Sequence, residues 1–205
     1  MLGGFSALHI PDIRHSRIFL EQNLPKDYPK RLALGMLAAM LSSNFPDVGA
    51  GIGRVSTHLL LPIFERVSIV ESDGRFVEMA QRTLQDRLHT AHNCRLQDYR
   101  CEQPEQYDLV WIQWVLMYAS DEELVSLLKE CIKSVRKGGF VGIKENTLSI
   151  NREPDVDLSD HSIVRSDEHF QRIFDVAGLE LVNYALQSNF PTGVYPVRMY
   201  LLRAK

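Results

Sequence analysis

Residues 47–54, Asp-Val-Gly-Ala-Gly-Ile-Gly-Arg, constrain the fold of this chain more than any other segment. An acidic residue is followed by glycines at alternate positions and then by an apolar run compatible with a helix. Glycine tolerates positive φ and lets backbone N–H groups approach a ligand where a Cβ would collide. The following helix adds free N–H groups and the positive end of its dipole. We therefore expect a strand, a turn and a helix that together bind a nucleotide-like ligand.

The composition is that of one globular domain. The chain has 205 residues, 45% hydrophobic and 24% charged, which suffices for a core without disulfides or metals. The net charge of −3 neither suggests nor excludes a polyanionic partner. The three cysteines form no regular framework, which favours reduced thiols in the cytosol or nucleus. The longest apolar run, residues 32–41, is too short to span a bilayer, so we expect no transmembrane segment.

Two helices are predicted before the glycine-rich segment. Residues 11–20 form an amphipathic pattern capped near Asp12, and we expect this helix to pack beside the ligand site or to act as a lid. Residues 31–41 are rich in Leu, Ala and Met and predict a second helix. The strand that should lead into Asp47 is poorly specified, because residues 42–46 are polar and contain a proline.

Strands and helices alternate along the rest of the chain. The predicted elements are a helix at 54–61, a strand at 67–71, a helix at 76–88, strands at 94–96 and 107–114, a helix at 121–135, a strand at 140–145, a long acidic loop at 146–166, a helix at 166–177 and closing strands at 179–185 and 195–202. This alternation predicts an α/β fold with a parallel sheet and helices on both faces. A ligand then lies at the carboxyl ends of the strands, where the notable polar residues fall.

The spacing of one carboxylate narrows the choice of ligand. Glu71 ends a predicted strand about 20 residues after Gly51, as in the dinucleotide fingerprint, where the acid binds ribose hydroxyls. This spacing fits either a nicotinamide dinucleotide or an adenosyl cofactor. The G-x-G-x-G order, the Gln97-Asp98 pair and the lack of a second domain for a dehydrogenase substrate favour the adenosyl cofactor. The alternative is a tight turn without a ligand.

Four further motifs carry a family resemblance: Trp-Ile-Gln-Trp at 111–114, Lys-Glu-Asn at 144–146, Ser-Ile-Val-Arg-Ser-Asp at 162–167 and Tyr-Pro-Val-Arg-Met-Tyr at 195–200. With the glycine-rich segment, they closely resemble the eukaryotic protein α-N-terminal methyltransferases. The resemblance implies a Rossmann-like seven-strand methyltransferase sheet, mostly parallel, with a C-terminal antiparallel strand pair. It implies S-adenosylmethionine as cofactor, with S-adenosylhomocysteine as product. It also implies that the substrates are proteins with exposed Xaa-Pro-Lys or Xaa-Pro-Arg N-termini.

The family's functional residues match positions of this chain. The resemblance assigns to the cofactor Gly49, Gly51 and Arg54 at its methionine end, Glu71 at the ribose, Leu96 and Gln97 at the adenine, and Gln113 above it. It assigns to the substrate Trp114, which stacks on the proline, Asn146, Asp157, Asp160, Ser162 and Tyr195. The alternatives are that Arg54 is a surface residue, that Trp114 packs in the core and that the acidic loop is a solvated turn.

Methyl transfer to an amine requires alignment of the reacting atoms and an unprotonated nitrogen. The predicted catalytic residues are Asp160 as general base, Asn146 and Tyr118. Many family members have a histidine at the position of Tyr118, and a tyrosine of ordinary pKa, about 10, is a hydrogen-bonding group instead of a base. This shifts the role of base to Asp160. His161 is a substitute proton acceptor or a loop residue.

We expect one methyltransferase domain over residues 1–205, with an N-terminal helical or lid region at 1–45, truncated or atypical, and a catalytic core at 46–205. The atypical start and Tyr118 put full activity in doubt. Two alternatives therefore stay open: a small-molecule methyltransferase of the same fold, and a cofactor-binding protein with weak or no activity. We expect no nucleic-acid or membrane partner, a monomer or weak dimer, and a location in the cytoplasm, with the nucleus as a second site. The histidines and cysteines at 89–101 match no common zinc spacing, so no metal is expected.

Overall fold

A computed structural model describes residues 6–37, 53–150 and 152–205. The helices in this part of the chain are α1 (Ser6–Asn23), a short π-helix (Ser56–Leu60), α2 (Gly74–Leu84), α3 (Asp121–Ser134) and α4 (Asp167–Ala177). Its strands are β1 (Leu32–Leu37), β2 (Arg66–Glu71), β3 (Leu88–Asn93), β4 (Tyr107–Gln113), β5 (Val135–Asn146), β6 (Asp155–Asp157), β7 (Ser162–Val164), β8 (Leu179–Leu186) and β9 (Val197–Ala204). Single 3-10 turns lie at Gln85–Arg87, Leu96–Asp98 and Leu116–Tyr118.

The main sheet has seven strands within the described residues, in the order β3-β2-β1-β4-β5-β9-β8. The first five strands in this order are parallel, and β9 is antiparallel to both β5 and β8. A separate antiparallel hairpin is formed by β6 and β7. The mostly parallel sheet with a C-terminal antiparallel pair confirms the predicted fold class.

Helices cover both faces of the sheet, because each face is apolar. On one face, Leu20 of α1, Leu59 of the π-helix and Ala80 of α2 belong to one buried cluster. On the other face, Leu128 of α3 and Phe174 of α4 belong to a second cluster. The sheet is therefore the middle layer of three, as strands buried on both faces require.

The helix predicted at residues 31–41 is wrong over Leu32–Leu37, which form β1. This strand pairs with both β2 and β4 in the middle of the parallel sheet. Leu, Ala and Met favour helices in isolation, but a strand between two parallel neighbours is buried on both faces and needs a continuous apolar run. Ala33, Leu34 and Met36 are fully buried in this way. Tertiary packing therefore overrides local propensity here.

Several predictions fall on residues that the structure does not describe. Residues 38–52 lie outside the described ranges. They include the poorly specified strand expected to lead into Asp47, the turn that begins at Asp47, and the predicted cofactor residues Gly49 and Gly51.

The first helix differs from its prediction at the N-terminal end. α1 begins at Ser6 and runs through Pro11, so Asp12 lies inside the helix and does not cap it. Proline is common in the first turn of helices, which makes Pro11 resemble a helix start.

Two other segments differ from their predictions. The strand expected at 94–96 is wrong, because β3 ends at Asn93 and Leu96–Asp98 form a 3-10 turn. β3 lies at the edge of the sheet, where a strand needs fewer apolar side chains. Its polar sequence therefore gave no strand pattern, and the strand was not predicted. The acidic loop at 146–166 contains the hairpin of β6 and β7. The remaining predicted strands and helices are confirmed, with boundaries shifted by a few residues.

Gly142 on β5 leaves room for a large side chain of the neighbouring strand. A Cβ at this position would lie 2.4 Å from Cε3 and 2.8 Å from Cζ3 of Trp111, whose indole is fully buried. We expect Gly142→Ala to lower the free energy of unfolding by about 3 kcal/mol, since overpacking a closed core forces side chains and backbone to move. Urea denaturation measures this. Gly74→Ala is the control, because its nearest contact would be 3.7 Å away, and equal losses in both variants would contradict the prediction.

Candidate active site

The carboxyl ends of the parallel strands meet at one edge of the sheet. Gln113 at the end of β4 pairs in register with Leu37 of β1 and with Lys144 of β5. Glu71 ends β2 and Asn146 ends β5. The structure thus brings the predicted residues of three separate motifs to the same edge, as expected for an α/β sheet.

A buried polar network joins α1 to this edge. We call it the Asp12 network, and its members are Asp12, Ser16, Arg54, Gln113, Lys144 and Gln187. Oδ2 of Asp12 accepts a hydrogen bond from Nη1 of Arg54 at 2.6 Å, and its carboxylate also accepts bonds from Nε2 of Gln113 at 3.1 Å. Nζ of Lys144 donates to Oδ1 of Asp12 at 2.5 Å, to Ser16 at 2.8 Å and to Gln187 at 2.6 Å. α1 therefore packs beside Arg54 and Gln113, two of the predicted cofactor residues, and its place beside a ligand stays a prediction.

Sequence reasoning missed Asp12 and Lys144 as parts of this site. Both side chains are fully buried. Burial lowers the pKa of the Lys144 ammonium, and the Asp12 carboxylate opposes that shift. The available signal was a lysine within the predicted strand at 140–145, because a charge in a buried strand needs a partner from elsewhere in the fold.

Arg54 is held inside the protein by this network. Only 9% of its side chain is exposed, so its alternative interpretation as a surface residue is wrong. Nη1 of Arg54 donates to Asp12, whereas Nε of Arg54 is buried and has no partner among the described residues. An unpaired buried guanidinium N–H favours a ligand with an acceptor group.

The predicted ribose and adenine residues lie on the β2 and β3 side of the edge. Oε1 of Glu71 accepts hydrogen bonds from Asp73 N at 2.8 Å and Ser72 Oγ at 3.3 Å. Burial raises the pKa of Glu71, against these hydrogen bonds. Within the described ranges both bonds reach the same oxygen, which leaves Oε2 for a ligand. Leu96 is partly buried, and Gln97 beside it donates to Tyr118 O at 3.2 Å.

Gln113 is bonded on both sides of its amide. Its Oε1 accepts a bond from Nε1 of Trp111 at 2.9 Å, and its Nε2 donates to Asp12. The side chain is 2% exposed. Its predicted position above a cofactor stays a prediction, but its orientation is fixed by Trp111 and Asp12.

Trp114 follows β4 and has an unusual backbone conformation. Its φ of 53° lies in the left-handed region, which is uncommon for a bulky residue and occurs most often at functional sites. Its ring packs in a small apolar cluster with Met117 and Val197, against Phe190. Lys144 Nζ lies 5.7 Å from the ring centroid. Trp114 is thus part of a local apolar wall and is supported by the Asp12 network.

The remaining predicted substrate residues lie around the β6 and β7 hairpin. Asp160 is exposed, and its Oδ1 accepts a bond from Ser162 N at 2.9 Å. Asp157 is also exposed, and hydrogen bonds from Ser159 lower its pKa. Tyr195 is 43% exposed and donates to Asp155 at 3.2 Å. These carboxylates give the hairpin an acidic, accessible surface.

Asn146 and Tyr118 complete the predicted catalytic set. The side-chain amide of Asn146 makes no hydrogen bond within the described residues and is only partly buried. Burial raises the pKa of Tyr118, and the charges of Asp160 and Glu145 raise it further. The phenol is therefore protonated at neutral pH and is a hydrogen-bonding group there. His161 has a φ of 59° and is exposed in the loop before β7.

The comparisons with known proteins agree with this geometry. Residues 1–203 match the family model described as AdoMet dependent proline di-methyltransferase. The chain belongs to this family. The alpha N-terminal protein methyltransferase 1 of Caenorhabditis elegans is 37% identical over 206 residues, which cover 99% of this chain and 82% of that protein. The N-terminal Xaa-Pro-Lys N-methyltransferase 1 of Danio rerio is 35% identical over 99% of this chain and 87% of its own length.

The solved structures agree as well. A SAM-dependent methyltransferase from Leishmania major superposes with a TM-score of 0.84 and 30% identity, over 98% of this chain and 75% of that one. The family resemblance and the seven-strand methyltransferase sheet predicted from the motifs are therefore confirmed.

In this methyltransferase, two buried charges hold the loop that carries Tyr118. Glu145 is fully buried and accepts hydrogen bonds from Leu116 N and Asn146 N, both at 3.0 Å. Arg165 is also buried and donates to Ala119 O at 2.7 Å and Leu116 O at 3.3 Å. Sequence reasoning gave neither residue a role. Together they fix the turn between Trp114 and α3.

Glu145 makes the stability of the methyltransferase depend on pH. Burial raises its pKa from 4.5 to about 7, although the hydrogen bonds that it accepts from backbone N–H groups act to lower the pKa. A carboxyl whose pKa is raised by folding stabilises the protein when protonated, and this contribution is lost as the pH rises from about 4.5 through 7. Between about pH 5 and 8 the free energy of unfolding of the wild type should fall. In Glu145→Gln we expect this fall to be smaller by about 2 kcal/mol. Urea titrations at each pH measure this, with exposed Glu122→Gln as the control that should keep the slope.

Other predicted features concern metals and membranes. Among the described residues, no group of three or more His, Cys, Asp or Glu side chains is arranged to hold a metal ion. His89 bonds Gln106 and His92 contacts Tyr107. In the same ranges no helix has the length and apolar character needed to cross a bilayer.

Proposed function

We propose that this methyltransferase transfers a methyl group from S-adenosylmethionine to the α-amine of proteins whose N-termini begin Xaa-Pro-Lys or Xaa-Pro-Arg. The observation that supports this most is that relatives named for N-terminal and Xaa-Pro-Lys methylation match 99% of the chain at 35–37% identity. Glu71, Gln113 and Asn146, three of the residues predicted to contact cofactor or substrate, end parallel strands at one edge of the sheet, which agrees with it.

The residues present fit an adenosyl cofactor. The unpaired Nε of buried Arg54 suits a carboxylate, Oε2 of Glu71 suits a ribose hydroxyl, and Leu96 with Gln97 offers an apolar surface beside an amide for adenine. When bound, the cofactor supplies the electrophilic methyl group. Because the reaction is an in-line displacement, these residues contribute mainly by orientation.

The substrate amine is bound and deprotonated by residues on β5 and the hairpin. The free amide of Asn146 bonds the amine or the adjacent backbone. Oδ1 of Asp160 is bonded to Ser162 N, and Oδ2 accepts the proton of the amine. An α-amino group has a pKa of about 7.7–8.0, so a carboxylate in contact with it suffices as a base. Tyr118 donates a hydrogen bond and does not act as a base.

Selectivity for the second and third residues comes from two surfaces. The Trp114 ring stacks on the proline, because an indole face and a pyrrolidine ring present flat apolar surfaces to each other. Asp157, which stays ionised at neutral pH, and Asp160 attract the cationic third residue. Tyr195, bonded to Asp155, lines the same groove.

A peptide assay read by intact mass tests this function. We expect mass increases of one or more methyl groups on a Ser-Pro-Lys peptide, and none on the same peptide with an acetylated N-terminus. Equal methylation of both peptides would contradict an α-amine acceptor. Methylation of a metabolite fraction but of neither peptide would favour a small-molecule methyltransferase. Binding of S-adenosylmethionine without turnover of any substrate would indicate a cofactor-binding protein.

The cellular setting follows from the same proposal. We propose a cytoplasmic protein with a nuclear fraction, because the described cysteines are all free thiols, as in a reducing compartment. We also propose a monomer or weak dimer that binds no nucleic acid. Cell fractionation and light scattering of the purified chain test these points, and a secreted protein or a stable tetramer would contradict them.

A further inference from the structure

The Asp12 network contains more interactions than docking of a helix requires. Asp12 bonds both Arg54 and Gln113, two residues that the family resemblance assigns to the cofactor. It lies on α1, far away in sequence from both. Apolar contacts such as Leu20 already attach α1 to the sheet. A buried carboxylate at this point therefore needs a reason beyond attachment, because burying charges costs free energy.

The side chain of Asp12 is itself held in place and is not free to reorient when a ligand binds. Lys144 bonds its carboxylate at 2.5 Å and its backbone carbonyl at 3.2 Å, and the side chain is fully buried. Ser16 and Gln187 fix the Lys144 ammonium in turn. The orientation of the Arg54 guanidinium is thus set by a rigid group, with Nη1 occupied and Nε unpaired within the described residues.

The charges of the network leave an anion to be supplied. Among the described residues it has two cations, Arg54 and Lys144, and one carboxylate, Asp12. His9 and His15 of α1 lie close by, but burial lowers the pKa of each, so both are neutral at pH 7. A buried site with one excess positive charge favours a ligand carboxylate.

We propose that Asp12 is a positioning residue for the cofactor. Asp12 accepts hydrogen bonds from both Arg54 and Gln113 and so fixes them in the arrangement that receives the carboxylate end of the adenosyl cofactor. Cofactor affinity therefore depends on the docking of α1, which carries Asp12. This inference rests on the proposed function, since it takes the ligand to be S-adenosylmethionine or its product. Because Asp12 acts through Arg54, it does not touch the reacting atoms.

Calorimetric titration of the full chain with two ligands tests the inference. One ligand is S-adenosylhomocysteine and the other is its decarboxylated analogue. We expect Asp12→Asn to weaken S-adenosylhomocysteine about tenfold, the size of one lost charge-assisted hydrogen bond, and to leave the analogue within about twofold. Glu21→Gln is the matched control. It makes the same acid-to-amide change at an exposed position of α1 that is not a member of the Asp12 network, so both affinities should stay within about twofold.

The alternatives give different results. Tighter binding of S-adenosylhomocysteine by Asp12→Asn would mean that Asp12 competes with the ligand for Arg54, and would overturn the proposal. Equal weakening of both ligands would reduce Asp12 to a structural role and also overturn it. If Asp12→Asn folds poorly because Lys144 is left unpaired, the double variant with Lys144→Met removes both charges and should show the same selective loss. A wild-type chain that binds neither ligand would overturn the proposed function, and the inference with it.

Discussion

Replacing Asp160 with Asn should lower kcat for a Ser-Pro-Lys peptide about 100-fold at pH 7, because a general base contributes that much or more. The affinity for S-adenosylhomocysteine should not change, since Asp160 is on the exposed hairpin and not in the Asp12 network. The loss should shrink at about pH 9, where an α-amine with a pKa of about 7.7–8.0 is already deprotonated in solution. Peptide kinetics across this pH range, with calorimetry for the product, measure both effects.

Glu153→Gln is the matched control for this variant. Glu153 is an exposed acid that precedes the same hairpin. Its substitution makes the same change in charge at a position that is not predicted to contact the amine. If both variants lose activity equally, the hairpin attracts the cationic peptide only through its overall charge. A loss in Asp160→Asn that is constant from pH 7 to 9 would also exclude Asp160 as the base.

Replacing Arg54 with Met should weaken S-adenosylhomocysteine about 100-fold, because it removes a buried, charged hydrogen-bond donor from the carboxylate of the ligand. Methylthioadenosine, which lacks the amino-acid part of the cofactor, should bind the variant and the wild type equally well. This difference between two ligands separates a lost contact from a damaged fold. Calorimetric titration measures it directly.

Arg82→Met controls for the loss of a cation. Arg82 is exposed on α2, and its one ion pair with the described residues, 3.6 Å from Glu78, is a surface interaction worth little. We expect its affinity for both ligands to match the wild type. Equal weakening of methylthioadenosine and S-adenosylhomocysteine by Arg54→Met would instead show that Arg54 supports the fold of the site and does not bind the carboxylate.

The sequence predicts the layers of this fold well, because the elements that define them have strong local signals. β4 contains the apolar run at 109–112, and α3 carries a capping box at Ser120 and Glu123. α4 ends at Gly178 in the left-handed conformation, as its sequence indicates. β1 could not be predicted in this way. Its composition favours a helix, and only its two parallel neighbours make it a strand.

The site is predictable only where it coincides with a motif. Trp114, Asn146 and Asp160 are recognised from family patterns, and Glu71 from its distance to the glycines. Asp12 belongs to no such pattern, and Arg165 lies in the 162–167 motif, which gave it no role. The partners of both are distant in sequence: Asp12 bonds a residue 132 positions away, and Arg165 one 44 positions away. Contacts of this kind leave no local period or spacing, so only the fold reveals them.

The connection between α1 and Gln187 has a consequence for the order in which the protein is made. Nε2 of Gln187 donates a hydrogen bond to Pro11 O at 3.2 Å, across 176 residues, and its Oε1 accepts one from the Lys144 ammonium. Chains grow from the ribosome at roughly 5–20 residues per second, so α1 emerges long before either partner. Contacts this distant form late in folding. The Asp12 network is therefore complete only after β8 and the turn after it have been synthesised, and a nascent chain that lacks them has no Gln187 contact with α1 or with Lys144.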